Sequence, residues 1–251
     1  YFPEAKSVIS LSTNYFTGNA DNNNSIGKIS NYAWGDDYHE IIKPRLYALL
    51  NSIKSKKPDI EGVVCIDTSP VMEKVWAQKG GLGWIGKHTN LITQDFGSWV
   101  FLGEVLLDIE LEYDNLFAED LCGTCTACLD ACPTNAFPQP YVLDSSKCIS
   151  YLTIEHKGDF PVEMEDKLSG WIYGCDICQE VCPWNIKFSQ KSQEESFQIR
   201  TNLNKRTLAE WHQLTEEEFR ALFKGSAVKR TKYGGLKRNV DLVRKSLGDS
   251  I

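Results

Sequence analysis

The chain reads as an α+β fold: an α/β unit, then a cysteine-rich module, then a helical C-terminal tail. Three observations carry this. Short apolar strand-like runs alternate with a helical pattern between Val8 and Asp108, eight of the nine cysteines crowd into residues 122–182, and the region after them shows helix-capping spacing. With 251 residues, 42% of them hydrophobic, the chain can bury a sizeable core and hold more than one structural unit.

In the first unit, residues 1–115, the strand candidates are Val8–Leu11, Gly62–Asp67, Asn90–Thr93 and Trp99–Leu107. Leu46, Leu49, Leu50 and Ile53 share one helical face, and Pro70 to Lys79 also has a helical pattern. In the second unit, residues 116–188, the cysteines bracket short helices, one of them entered by Asp144 and carrying Cys148, Leu152 and Glu155. A polar connector from Ser189 to Ser196 opens the third, residues 189–251. There Thr215 and Glu218 have capping-box spacing, and Phe219, Leu222 and Phe223 follow at core spacing. No apolar run is long enough to span a bilayer. The chain begins at Tyr1 and runs straight into a strand, so a missing upstream segment is expected. With no secretory or twin-arginine leader visible, a cytoplasmic protein is expected, by default a monomer.

The cysteines read Cys122-x2-Cys125-x2-Cys128-x3-Cys132-Pro133, then Cys148 with Cys175-x2-Cys178-x3-Cys182-Pro183. The first run has 4Fe-4S spacing, in which the fourth cysteine of a two-cluster protein ligates the other cluster. Cysteines two residues apart let one loop wrap three corners of a cubane, while Cys132, one residue beyond that rhythm, points away. One set is therefore Cys122, Cys125, Cys128 and Cys182, and the other is Cys132, Cys148, Cys175 and Cys178. This is a ferredoxin-like module with two 4Fe-4S clusters. The prolines at 133 and 183 are expected to end the short ligand helices. Zinc favours separated cysteine pairs, and crowded thiols in a chain expected to be cytosolic favour metal over disulfides. Two unrelated structural clusters remain an alternative. Cys65, inside an apolar strand, reads as a buried core thiol.

Net charge is −7, unfavourable for nucleic acid as a whole, but residues 224–245 carry eight basic residues against Asp241 alone. That segment stands at +7 and the other residues together at −14. With Tyr233 and a Gly234-Gly235 turn inside it, the segment could meet phosphates; a solvated helix face is the alternative. Gly81-Leu82-Gly83-Trp84-Ile85-Gly86 matches the dinucleotide fingerprint in letters, but a helix precedes it and a strand follows, the reverse of the required order. A tight loop letting backbone approach a large flat ligand, or a plain helix-to-strand connection, fits better.

Several segments together resemble the epoxyqueuosine reductase family: Tyr32-Ala33-Trp34-Gly35-Asp36-Asp37-Tyr38-His39, Asp67-Thr68-Ser69-Pro70, Gly81-Leu82-Gly83-Trp84-Ile85-Gly86-Lys87, Cys148 through Glu155, and Tyr173-Gly174-Cys175-Asp176-x-Cys178. The resemblance covers nearly the whole chain. It implies that the first unit binds cobalamin above the two clusters, that an external low-potential donor supplies electrons, and that the substrate is tRNA carrying epoxyqueuosine in its anticodon loop. It also implies that Asp67 is the proton donor, at a strand end, where an apolar pocket would keep it protonated. Asp37 and His39 are candidates to line the corrin or the substrate. His39 is not expected to ligate cobalt, since the resemblance implies no histidine on the lower corrin face. Tyr32, Asp67, Lys87, His88, Thr89, Ser98, Ser150, Tyr151 and Thr153 are the candidate cobalamin contacts. Lys229, Arg230, Lys232, Lys237 and Arg238 are the candidate tRNA contacts. A reductive dehalogenase acting on a small molecule shares this cofactor set, and a pure electron-transfer module needs only the clusters.

Overall fold

The computed structural model describes residues 1–18, 27–200 and 203–248; residues 201–202 and 249–251 of the expected tail lie outside it. The elements, in chain order, are β1 (Ser7–Asn14), β2 (Lys28–Ile29), α1 (Tyr38–Lys56), β3 (Gly62–Cys65), α2 (Glu73–Lys79), β4 (Trp84–Ile85), β5 (Leu91–Ile92) and β6 (Val100–Leu107). They continue with α3 (Ala127–Asp130), α4 (Ile149–Ile154), β7 (Trp171–Tyr173), α5 (Ile177–Glu180), α6 (Pro183–Phe188), α7 (Leu208–Gln213), α8 (Glu216–Leu222) and α9 (Lys232–Ser246).

The first unit is built on a three-stranded sheet in the order β1-β6-β3, with β6 antiparallel to both neighbours. The all-antiparallel pairing distinguishes it from a parallel α/β sheet. Helix α1 lays Ile42, Leu46 and Leu50 on this sheet, against Val64, Val105 and Leu107. Asp37 caps α1 by accepting the His39 backbone N–H. The expected strand to Asp67 stops at Cys65, and the helix expected from Pro70 begins at Glu73. Cys65 is fully buried.

The three expected units share cores. β2 pairs in parallel with β7, and Ile29 and Trp34 pack with Ile149, Leu152, Trp171, Tyr173, Trp211, Phe223 and Val240. Buried Asp176, between Cys175 and Cys178, accepts the Ser30 hydroxyl and the Asn31 N–H. Tail helix α9 is fastened by Asn239, whose Nδ2 donates to Thr153 O and Ile172 O, both at 2.8 Å. Thr207 with Glu210 and Thr215 with Glu218 form capping boxes on α7 and α8. Gly234 and Gly235 lie within α9 and make no turn. Among the described residues no helix is long and apolar enough to cross a membrane.

The glycine segment 81–86 forms the approach to a small antiparallel hairpin, β4 with β5. A Cβ on Gly83 would lie 2.0 Å from Ile92 O, and one on Gly86 would strike the Ile92 side chain. Gly83 and Gly86 thus permit the close approach of their own hairpin.

Candidate active site

The cysteines gather into two cavities. Cys122, Cys125, Cys128 and Cys182 line one of about 120 Å³, with Leu121 and Trp184. Cys132, Cys148, Cys175 and Cys178 line a second of about 40 Å³, with Ala136 and Ile149. All nine cysteines are free. Helices α3 and α5 each end after one turn, so Cys132 and Cys182 leave their own blocks and reach the opposite cavity. Pro183 does not end a ligand helix: it occupies the first turn of α6, where its missing N–H costs nothing, with Cys182 as the N-cap. Sulfur atoms receive N–H groups from the surroundings, Trp84 Nε1 at 3.5 Å from Cys122 Sγ and the Ala136 amide at 3.3 Å from Cys132 Sγ. Among the described residues no group is arranged for a single metal ion. Two separate four-thiol cavities do fit cubanes, whose corners stand farther apart than the ligands of one ion.

Beside the second cavity lies a cleft of about 1460 Å³, larger than the roughly 300–1,000 Å³ of ordinary small-molecule pockets. Tyr32, Asp37, His39 and Asp67 line it, as do Ser150, Tyr151, Lys229 and Arg230. Cys148 borders both the cleft and the second cysteine cavity. Tyr38, Tyr173, Glu155 and the loop 224–227 also line it.

At the centre of the polar wall, His39 Nδ1 is 2.8 Å from Asp37 Oδ1 and Nε2 is 3.4 Å from Asp67 Oδ2. The imidazole stacks on Tyr38, which stacks in turn on Phe101, fixing the ring plane. The hydrogen bond to Asp37, then the ion pair with Asp67, raises the His39 pKa to about 9, while the His39 contact holds both carboxylates below their usual range. Asp67 is therefore ionised in this arrangement and His39 carries the proton. The expected apolar pocket around Asp67 is instead a charged one, because a histidine sits against the carboxylate. Tyr32 donates to Tyr173 at 3.1 Å, and Tyr173 donates to Ala227 O at 2.7 Å.

Several candidates lie elsewhere. Lys87 and His88 line the first cysteine cavity, where Lys87 Nζ donates to Gly123 O and Cys125 O. Ser98 is buried between Gln179 and Asn185. Thr153 is fully buried, donating to Ile149 O and accepting the Gly174 N–H. Thr89 lies outside the cleft lining, its carbonyl accepting from Lys74. Of the basic candidates, Arg238 is consumed internally: it donates to Leu152 O, His156 O and Gly158 O and lies over the Phe160 ring. Lys237 is held against His212. Lys229, Arg230 and Lys232 are exposed, with Arg230 paired to Glu155.

Residues 121–185 match the family described as a 4Fe-4S double cluster binding domain. With the two four-cysteine cavities, that match makes this an iron–sulfur protein of the double-cluster class, with the large cleft bordering one of the cysteine cavities. Residues 1–68 match the family described as epoxyqueuosine reductase QueG, DUF1730. An epoxyqueuosine reductase of Cellulophaga algicola is 49% identical over 241 residues, covering 96% of this chain and 78% of the relative. The crystal structure of an epoxyqueuosine reductase with an epoxyqueuosine-modified tRNA-Tyr stem loop superposes with TM-score 0.90 at 31% identity, covering 99% of this chain and 66% of that one. The Bacillus subtilis enzyme, in a structure with its catalytic aspartate loop swung out of the active site, superposes with TM-score 0.89 at 30% identity, again covering 99% and 66%. The chain spans just under two thirds of those two solved chains. It belongs to the epoxyqueuosine reductase family, a family of oxidoreductases.

Proposed function

We propose that the chain reduces epoxyqueuosine to queuosine in the anticodon loop of tRNA, with cobalamin in the large cleft and two 4Fe-4S clusters in the cysteine cavities. The observation that carries this reading is Cys148, which borders the second cysteine cavity and the cleft that holds Asp37, His39 and Asp67. The cleft is large enough for a corrin and open enough for a flipped-out nucleoside. Tyr32, Ser150 and Tyr151 would hold the corrin. When bound, cobalamin would supply a strongly reducing metal centre, and the clusters would supply it with single electrons from an external low-potential donor.

Converting the epoxide to an alkene takes two electrons and two protons and releases water. The protein's part is to bring protons to the oxygen that leaves. His39, held protonated between two carboxylates, is the reservoir. Asp67, at the cleft margin, is the group that passes the proton on as the filled cleft excludes water and its own charge becomes costly. Asp37 keeps the imidazole oriented through Nδ1, leaving Nε2 facing Asp67. Lys229, Arg230 and Lys232 would track the tRNA backbone.

The experiment is nucleoside mass spectrometry of epoxyqueuosine-bearing tRNA incubated with reduced, cofactor-loaded protein. Loss of one oxygen from the modified nucleoside supports the proposal. Unchanged nucleoside, with cobalamin seen to co-elute with the protein, counts against it.

A further inference from the structure

The loop bearing Asp67 is held from behind by two glutamates. Asp67 has φ 44°, a left-handed conformation that residues with a Cβ seldom adopt. Its backbone N–H donates to Oε1 of Glu73, in the first turn of α2. Glu73 meets Glu104, which lies on the central strand β6 and is fully buried. Ser10 on β1 donates to Glu104 Oε1 at 3.1 Å, and the buried Oε2 has no other hydrogen-bond partner among the described residues. Two neighbouring carboxyl groups at a buried site resist both being charged. Burial, then the neighbouring Glu73, pushes Glu104 up to about 8, so Glu104 keeps the proton. Ser10, Cys65, Asp67, His39, Tyr38 and Lys74 are the other polar or titratable groups facing the pair.

We propose that Glu104 and Glu73 form a latch positioning Asp67: the neutral acid of Glu104 donates to Glu73, and Glu73 holds the Asp67 backbone in its left-handed conformation at the cleft margin. This rests on the reading of Asp67 as the group that serves the substrate. Neither glutamate touches the cleft, so the pair acts through Asp67.

Four variants test it: Glu73→Ala, Glu104→Leu, Glu104→Gln and Asp67→Asn. Each is measured for hydrogen exchange across residues 66–72 and for kcat and KM on epoxyqueuosine-bearing tRNA. Glu73→Ala and Glu104→Leu are expected to exchange about 10-fold faster in that segment and to lose about 10-fold in kcat, the scale of one lost charge-assisted hydrogen bond, with KM unchanged. Glu104→Gln, which still donates, is expected to stay near wild type in both, and to lose an infrared carbonyl band of a neutral carboxylic acid at pH 7. Wild-type exchange in Glu73→Ala would overturn the latch, as would a Glu104→Gln variant as impaired as Glu104→Leu. Should Glu104→Leu not fold, Glu73→Ala decides, since Glu73 is only partly buried. Full turnover by Asp67→Asn would remove the role of Asp67, while the exchange data would still decide the latch.

Discussion

His39 sets the pH behaviour of the site. Its pKa is raised to about 9, so the interaction is fully present below its ordinary value of about 6.5 and is lost as pH rises through 9. Asp37 and Asp67 are lowered, so their share is present above the ordinary carboxylate range and fades as pH falls through their depressed values. The triad is therefore intact from mildly acidic pH to about 9. If His39 is the proton reservoir, kcat/KM should fall on the alkaline side near pH 9, and Asp37→Asn should move that limb towards 6.5. A pH–rate profile with an unmoved limb would exclude the Asp37–His39 coupling. The sequence pointed to Asp37, His39 and Asp67 through motif resemblance, and all three line the cleft. It did not reveal the charge state of Asp67, because His39 lies 28 positions upstream and meets it only through the packing of α1 on the sheet. Glu73 and Glu104 carried no signal at all, since a glutamate inside an apolar strand shows its neighbour only once β6 is folded between β1 and β3.

At the scale of elements, the swapped cysteines and the tail make separable predictions. Cys182→Ala should abolish the cluster formed with Cys122, Cys125 and Cys128 while sparing the other, halving the iron content measured on the purified protein. Loss of both clusters would indicate that the cavities are not independent. In the tail, only part of the basic stretch is free. A charge count cannot tell Arg238, spent on the carbonyls that end α4, from Lys229 and Lys232, which face solvent. Charge reversal at Lys229, Arg230 and Lys232 should weaken tRNA binding at low salt and reduce its salt dependence, with the clusters' absorption unchanged. Asn239→Ala would leave Ile172 O short of a donor in the core, Thr153 O keeping the Thr231 hydroxyl, and should cost about 1–3 kcal/mol in denaturant unfolding.

Across the whole molecule, short-range spacing was the readable part: the cysteine blocks, the α1 face and the Thr215 capping box all follow from residues within a few turns. Long-range joins were not. The β2–β7 pairing, the Asp176 bridge to Ser30 and the shared core of Ile29, Trp171 and Val240 tie the three expected units together, and no local pattern encodes them. Those joins bring the wall carrying Asp37, His39 and Asp67 to the same cleft as Cys148. The most direct test of that convergence is a single-turnover assay on epoxyqueuosine-bearing tRNA, read by nucleoside mass spectrometry, comparing wild type with Asp67→Asn. The account predicts conversion to queuosine by wild type, and none by Asp67→Asn despite retained iron, cobalamin and tRNA binding. Conversion by the variant at the wild-type rate would contradict it.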